Sequence, residues 1–176
     1  MIDDLVVHLL LTRKQCLQGA AIRGIQGPLV DFAVASESDR VYILSERLKE
    51  TVKSRLGKGD GRFESLLDPL GMGGPVPDSI RRMLMEHSQV RNVLVHKNGI
   101  ADAKFLEHCP WLGARLGMQI QVSGVRFAAY TATNHWYMLE LSRRMDALDG
   151  ATINARDVEL LGKYKNLVDT YCSKAS

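Results

Sequence analysis

Cysteine is scarce in this sequence: Cys16, Cys109 and Cys172 are three in number, far apart, with no C-x-x-C pair and no His and Cys cluster at ligand spacing. An odd, scattered set of this kind provides neither a disulfide framework nor a metal site, and no cofactor is expected. Each cysteine lies in or beside a helical run, where a buried thiol is the ordinary state, although spacing alone leaves a cysteine nucleophile open. Long apolar runs are missing too. No stretch reaches the roughly 18 uninterrupted apolar residues that a membrane span needs, so a membrane is not among the expected partners. The opening MIDDLVVHLLLTRKQC starts acidic and has a short apolar run without a small-residue cleavage site, so it does not read as a signal peptide, and a cytoplasmic protein is expected. No repeat or low-complexity segment is visible. Nor does either sign of charge dominate, since 23 Lys and Arg face 20 Asp and Glu for a net +3. That balance permits nucleic-acid binding without demanding it, because clustering of charge matters more than its sum.

What is present is helical pattern. At 176 residues and 45% hydrophobic content the chain suits one domain, residues 1–176, with enough apolar surface to form a core. Leu5, Leu9, Leu10, Cys16, Leu17 and Ala20 recur at three- and four-residue steps, which predicts a first helix over 3–22, capped by Asp3 and Asp4 and ended by Gly24, Gly27 and Pro28. Residues 28–56 read as two helices or one interrupted helix, with Ser36, Ser38 and Asp39 offering a cap in the middle. Gly57 to Gly61 lacks the order of a phosphate loop and reads as a turn. A short helix from Phe63 to Leu70 and a Gly- and Pro-rich connection lead to a helix over Asp78 to Asn98, with Asp78 as its cap and Gly99 as its stop. Asp102 caps a short helix to His108, and Met118 to Ser123 alternates well enough for a short strand that would need a partner. Helices over 125–147 and 155–172 complete an all-α, up-and-down bundle with a hairpin or strand insertion near 112–123. Trp136, Tyr137 and Tyr130 read as core or interface rather than as a stacking platform.

The third of these long helical patterns carries the chemistry. Arg91-Asn92-Val93-Leu94-Val95-His96 joins a permanent cation and a titratable base across one and a half turns, followed by Lys97, Asn98 and Gly99. On a helix at about 100° per residue, Asn92 and His96 stand one above the other, while Arg91 is rotated by about 140° from His96. Val93, Leu94 and Val95 are expected to turn toward packed neighbours. Arg81, Arg82, Lys97 and Lys104 would extend a basic rim for a polyanion, and Asn98 would lie within it. His87 and His108 could approach the same cleft, or be ordinary surface histidines. Glu86 is spaced to pair with Arg82 at i, i+4.

The stretch RNVLVHKNGIADAKFLEHCP, with the helix SIRRMLMEHSQV before it, resembles the HEPN family (higher eukaryotes and prokaryotes nucleotide-binding). The signature of that family is Arg, a polar residue, three mostly apolar residues and His, often followed by a polar residue and Gly. The resemblance is sharp over residues 78–110 and loose over 28–172. It implies a helical bundle, a homodimer whose motif helices face each other, and a metal-independent endoribonuclease in a toxin or defence setting, sometimes restrained by an antitoxin or partner protein. It implies catalytic roles for Arg91, His96 and Asn92, and RNA as substrate held by Arg81, Arg82, Lys97 and Asn98. It also admits a non-catalytic module that binds RNA or nucleotide, or simply dimerises. An unrelated helical interaction protein, with Arg91 paired to an acidic residue, is the third reading.

Overall fold

The computed structural model describes residues 2–27, 29–53 and 61–174, and the chain divides into two compact units, Met1–Pro75 and Val76–Ser176. The fold is all-α: among the described residues every regular element is an α-helix or a 3₁₀ turn. No helix among them is long and apolar enough to cross a membrane.

The first unit contains α1 (Ile2–Thr12), α2 (Ala20–Arg23), α3 (Leu29–Val34), α4 (Glu37–Lys53) and α5 (Gly61–Leu67). α1 buries Ile2, Val6, Leu9 and Leu10, one helical stripe, and packs on α4, where Leu48 and Val52 are also buried. Asp3 and Asp4 occupy its first turn, where the helix dipole favours carboxylates, and Lys49 of α4 reaches Asp3 at 3.0 Å. The single helix expected over 3–22 is instead α1, a 3₁₀ turn at Lys14–Gln18, and α2. Tertiary contact explains the break. The buried Cys16 thiol donates to the Leu70 carbonyl at 3.4 Å, and a side chain at Gly19 would meet the Pro69 carbonyl oxygen at 3.1 Å, so the segment folds onto the 68–70 turn instead of continuing as a helix.

Residues 29–53 resolve into two helices. Ser36 caps α4, its hydroxyl accepting from the Asp39 backbone N–H at 3.2 Å and donating to the Asp39 carboxylate at 2.6 Å. Arg40 then covers the end of α3 by donating to the Phe32 and Ala33 carbonyls. The run from Gly57 to Asp60, expected as a turn, lies outside the described residues.

The second unit contains α6 (Asp78–His96), α7 (Ala103–His108), α8 (Gly124–Leu148) and α9 (Ala155–Lys174). α8 and α9 pair along their length, and α6 packs on both. Ser123 and Asp102 cap α8 and α7, each side chain accepting from the backbone N–H three residues on. Asp78 is the first residue of α6 rather than its cap; Pro77 holds the cap position without a side-chain bond, and Asp78 instead places its carboxylate in the first turn. Tyr130, Trp136 and Tyr137 are buried, as expected of core aromatics.

α6 ends in a tight reversal. Lys97 and Gly99 both donate to the Val93 carbonyl, and Asn98 and Gly99 have φ of 51° and 78°. The chain emerging at Ile100 then meets residues 117–120 running the other way. Ala101 donates to the Met118 carbonyl at 2.9 Å and Ile120 to the Gly99 carbonyl at 2.8 Å. The strand expected at 118–123 is therefore one antiparallel bridge, Ile100 to Gln119, because the facing segment passes directly into the cap of α7.

Gly99 is fixed by both backbone and space, since φ is positive and a Cβ would collide with the Gln119 side-chain amide. Gly99→Ala is expected to cost about 1–3 kcal/mol. Thermal unfolding checks this: Tm should fall, and adding Gln119→Ala should recover the steric part of the loss. An unchanged Tm for the single variant would contradict the constraint.

Candidate functional site

α6 is oriented by a buried carboxylate. Its inward stripe is Ile80, Met83, Glu86, Val90 and Val93, so Glu86 occupies a core position and is only 1% exposed. A carboxylate there must be paired or neutralised. It accepts from the Trp111 indole N–H at 2.7 Å and from the Tyr130 hydroxyl at 3.0 Å, with the Arg126 guanidinium at 3.6 Å. Arg126 in turn donates to the Tyr171 hydroxyl at 2.8 Å, which draws α9 into the same network. Beyond the i, i+4 pairing with Arg82 expected from spacing, the carboxylate thus has partners from α8 and the Pro110–Leu112 turn. Arg82 lies over the Trp111 ring, 4.8 Å from its centroid.

With the inward stripe set, the other positions of α6 follow. Val93 is buried, but Leu94 and Val95 are 44% and 57% exposed, which corrects the expectation that all three pack inward. Three consecutive helical residues sweep about 200°, so one alone can sit in the seam. Arg91 is exposed, and no carboxylate pairs with it among the described residues. That removes the support for a structural ion pair at Arg91. His96 is the last residue of α6 and is exposed; Asn92, one turn before it, is half-buried. Arg91 and His96 lie on opposite flanks of the buried stripe, about 140° apart, and are not in contact within the chain.

The remaining candidates are dispersed. Lys97 lies 4.0 Å from the Asp102 carboxylate, and the Asn98 carbonyl accepts from the Gln119 side chain at 3.4 Å. His96, Lys97 and Asn98 thus form one group at the end of α6. Arg81 is exposed at the other end, donating to the Val76 carbonyl at 3.4 Å. It is about 15 Å along the axis from Arg91, so Arg81 and the motif lie toward opposite ends of α6.

Sequence reasoning gave too little weight to His87. Its ring is half-buried and stacked on Tyr130, with centroids 4.8 Å apart and planes 18° from parallel. Burial holds its pKa below 6.5, a hydrogen bond with Asn134 pulls the other way, and the Arg91 charge adds to the lowering. Arg91 and His87 are one turn apart at i, i+4, the spacing that puts side chains side by side. That spacing, together with the Tyr130 position on the facing helix, was the available signal.

The thiols are poor nucleophile candidates. Burial, with the Glu86 charge second, pushes Cys109 up to about 12, and burial raises Cys16 and Cys172 as well. Among the described residues no group of three or more His, Cys, Asp or Glu is placed to hold a metal ion.

Two outcomes test this arrangement. Glu86→Ala strands Trp111 and Tyr130, removes the counter-charge of Arg126, and is expected to destabilise the fold by about 3–5 kcal/mol, with Glu86→Gln costing less; chemical denaturation measures both, and equal stability of Glu86→Ala and wild type would contradict the network. For His87, the unfolded state binds the proton more tightly than the folded state does. Stability should therefore fall as pH drops through about 6.5, the loss being complete below the lower folded-state value, and His87→Gln should remove that part of the acid dependence in melts at stepped pH. Compared with protein-family models, curated proteins and solved structures, the chain matches none.

Proposed function

We propose that the chain is a metal-independent endoribonuclease of the HEPN type, working as a homodimer. The observation that carries the reading is the state of Arg91, an exposed guanidinium with no carboxylate partner among the described residues, on the same helix as the exposed imidazole of His96. A cation left unneutralised at the surface suits a phosphate better than it suits the fold. Cleavage needs a base to draw the 2′-hydroxyl proton, an acid to protonate the leaving oxygen, and a cation to stabilise the five-coordinate phosphate. Arg91 is the cation, His96 serves one proton transfer, and Asn92 orients the imidazole or the phosphate. The product of this route is a 2′,3′-cyclic phosphate.

The 140° between Arg91 and His96 is answered by a second copy. Around the end of α6 the apolar side chains Leu94, Val95, Ile100, Leu116 and Met118 are 39–70% exposed. A surface of this kind beside the motif is what a two-fold contact would cover, and two-fold pairing is the commonest oligomer geometry. Across such an axis Arg91 of one chain and His96 of the other share a cleft, and Lys97 and Asn98 contact the RNA backbone from its rim. A toxin or defence role with an antitoxin or partner protein is the corresponding biological setting. The separation of Arg91 from His96 within one chain equally favours a second reading, a non-catalytic module that binds RNA or nucleotide.

Purified protein is expected to cleave single-stranded RNA in EDTA and leave cyclic phosphate ends. His96→Ala and Arg91→Ala should each lower the rate by about 10²-fold or more without unfolding the chain, because general acid–base and electrostatic terms are each of that size. RNA retardation without cleavage would select the binding module. Neither cleavage nor retardation would overturn both readings.

A further inference from the structure

We infer that His87 is a further catalytic residue, the general base at the phosphate that Arg91 holds, an assignment that rests on the ribonuclease reading above. On α6 the two side chains are about 40° apart in rotation and one turn apart along the axis, whereas His96 is about 140° from Arg91. Of the two imidazoles on α6, that of His87 is thus the nearer to the unpaired guanidinium. It is also the better held of the two, stacked on Tyr130 at 4.8 Å and hydrogen-bonded with Asn134, both from α8. The Asn134 bond raises the imidazole pKa, as a bond donated by a ring N–H to the amide oxygen does, and with that nitrogen as donor the other is the proton acceptor of the neutral ring. Its environment favours the unprotonated state near neutrality, the state a base requires. The titratable and charged groups bearing on it are Arg91 on its own helix and Tyr130 on α8. Tyr130 donates its hydroxyl to Glu86, and burial raises its pKa, so it stays neutral beside the imidazole.

His87 and His96 are nine residues apart on α6, about 180° in rotation and about 13 Å along the axis, so one chain cannot bring both to the same phosphodiester. The acid is then His96 of a second copy. The unprotonated nitrogen of His87 takes the 2′-hydroxyl proton, the 2′-oxygen bonds to phosphorus as the bond to the 5′-oxygen breaks, and the leaving 5′-oxygen takes a proton from the His96 imidazolium. Solvent resets both rings.

The test compares wild type, His87→Gln and His87→Asn as the whole chain, in EDTA, on a single-stranded RNA across about pH 4.5–8.5, a range of about two units either side of 6.5. Wild type should cleave with a rate that falls at acid pH, with an inflection below the ordinary imidazole value of about 6.5, and the folded variants should lose about 10²- to 10⁴-fold in kcat together with that acid limb. Wild type that cleaves, with a folded variant within about fivefold of it, overturns the role of His87 and leaves the ribonuclease reading standing, since general base catalysis is worth more than that. Wild type that cleaves no RNA overturns both. Should the variants fail to fold, NMR of wild-type imidazoles during titration with a 2′-O-methyl oligoribonucleotide decides: the His87 ring resonances should move on binding, and their constancy while the oligonucleotide binds would overturn the assignment.

Discussion

Glu86 is the constraint on which the second unit depends. A carboxylate that is 1% exposed is tolerated only where its lone pairs are met, and here they are met by three groups from two elements: the indole of Trp111, and the hydroxyl of Tyr130 and the guanidinium of Arg126. Because those partners sit on α8 and on the turn after α7, the bond set locks the rotation of α6 about its own axis. A rotation of one residue, about 100°, would put Glu86 in water or leave Trp111 and Tyr130 without an acceptor. Every outward-facing side chain of α6 inherits its direction from that lock. Arg91 has its exposed setting, His87 its place against Tyr130, and His96 the opposite flank for this one reason.

Apolar packing alone would not set the phase so sharply. Ile80, Met83, Val90 and Val93 form a stripe that tolerates small rotations, as interchangeable hydrophobes do, whereas a buried carboxylate with two short hydrogen bonds does not. The tight end of α6 is a second register point. Gly99 admits the Gln119 side chain, and the bridge from Ile100 to Gln119 ties the residues just past His96, so the end of the helix is held from both sides.

Much of the fold was legible in the sequence, and the failures have identifiable physical causes. The caps at Ser36 and Asp102, the positive φ at Gly99 and the long helices α8 and α9 follow from local rules, because capping and backbone sterics are local. The break after Thr12 was not legible, since it comes from contacts between Cys16 or Gly19 and residues about 50 positions away. Periodicity placed Val93 inward and wrongly took Leu94 and Val95 with it, as an apolar trio carries no phase of its own. The rotation between Arg91 and His96 was legible from helix geometry. The partners of Glu86 on the Pro110–Leu112 turn and α8 were not, because they lie 25 and 44 residues on, out of reach of any local spacing rule.

The central claim is that Arg91 and His96 act across two copies of the chain, each copy holding half of a site. Complementation tests it most directly: Arg91→Ala and His96→Ala proteins, each inactive as a homodimer, are mixed under conditions that exchange subunits and assayed on RNA. Random exchange makes half the dimers mixed, with one of two composite sites intact in each, so recovery of about a quarter of wild-type activity is predicted. Two active homodimers, or a mixture that exchanges subunits and stays as inactive as its parents, would contradict a site shared between chains.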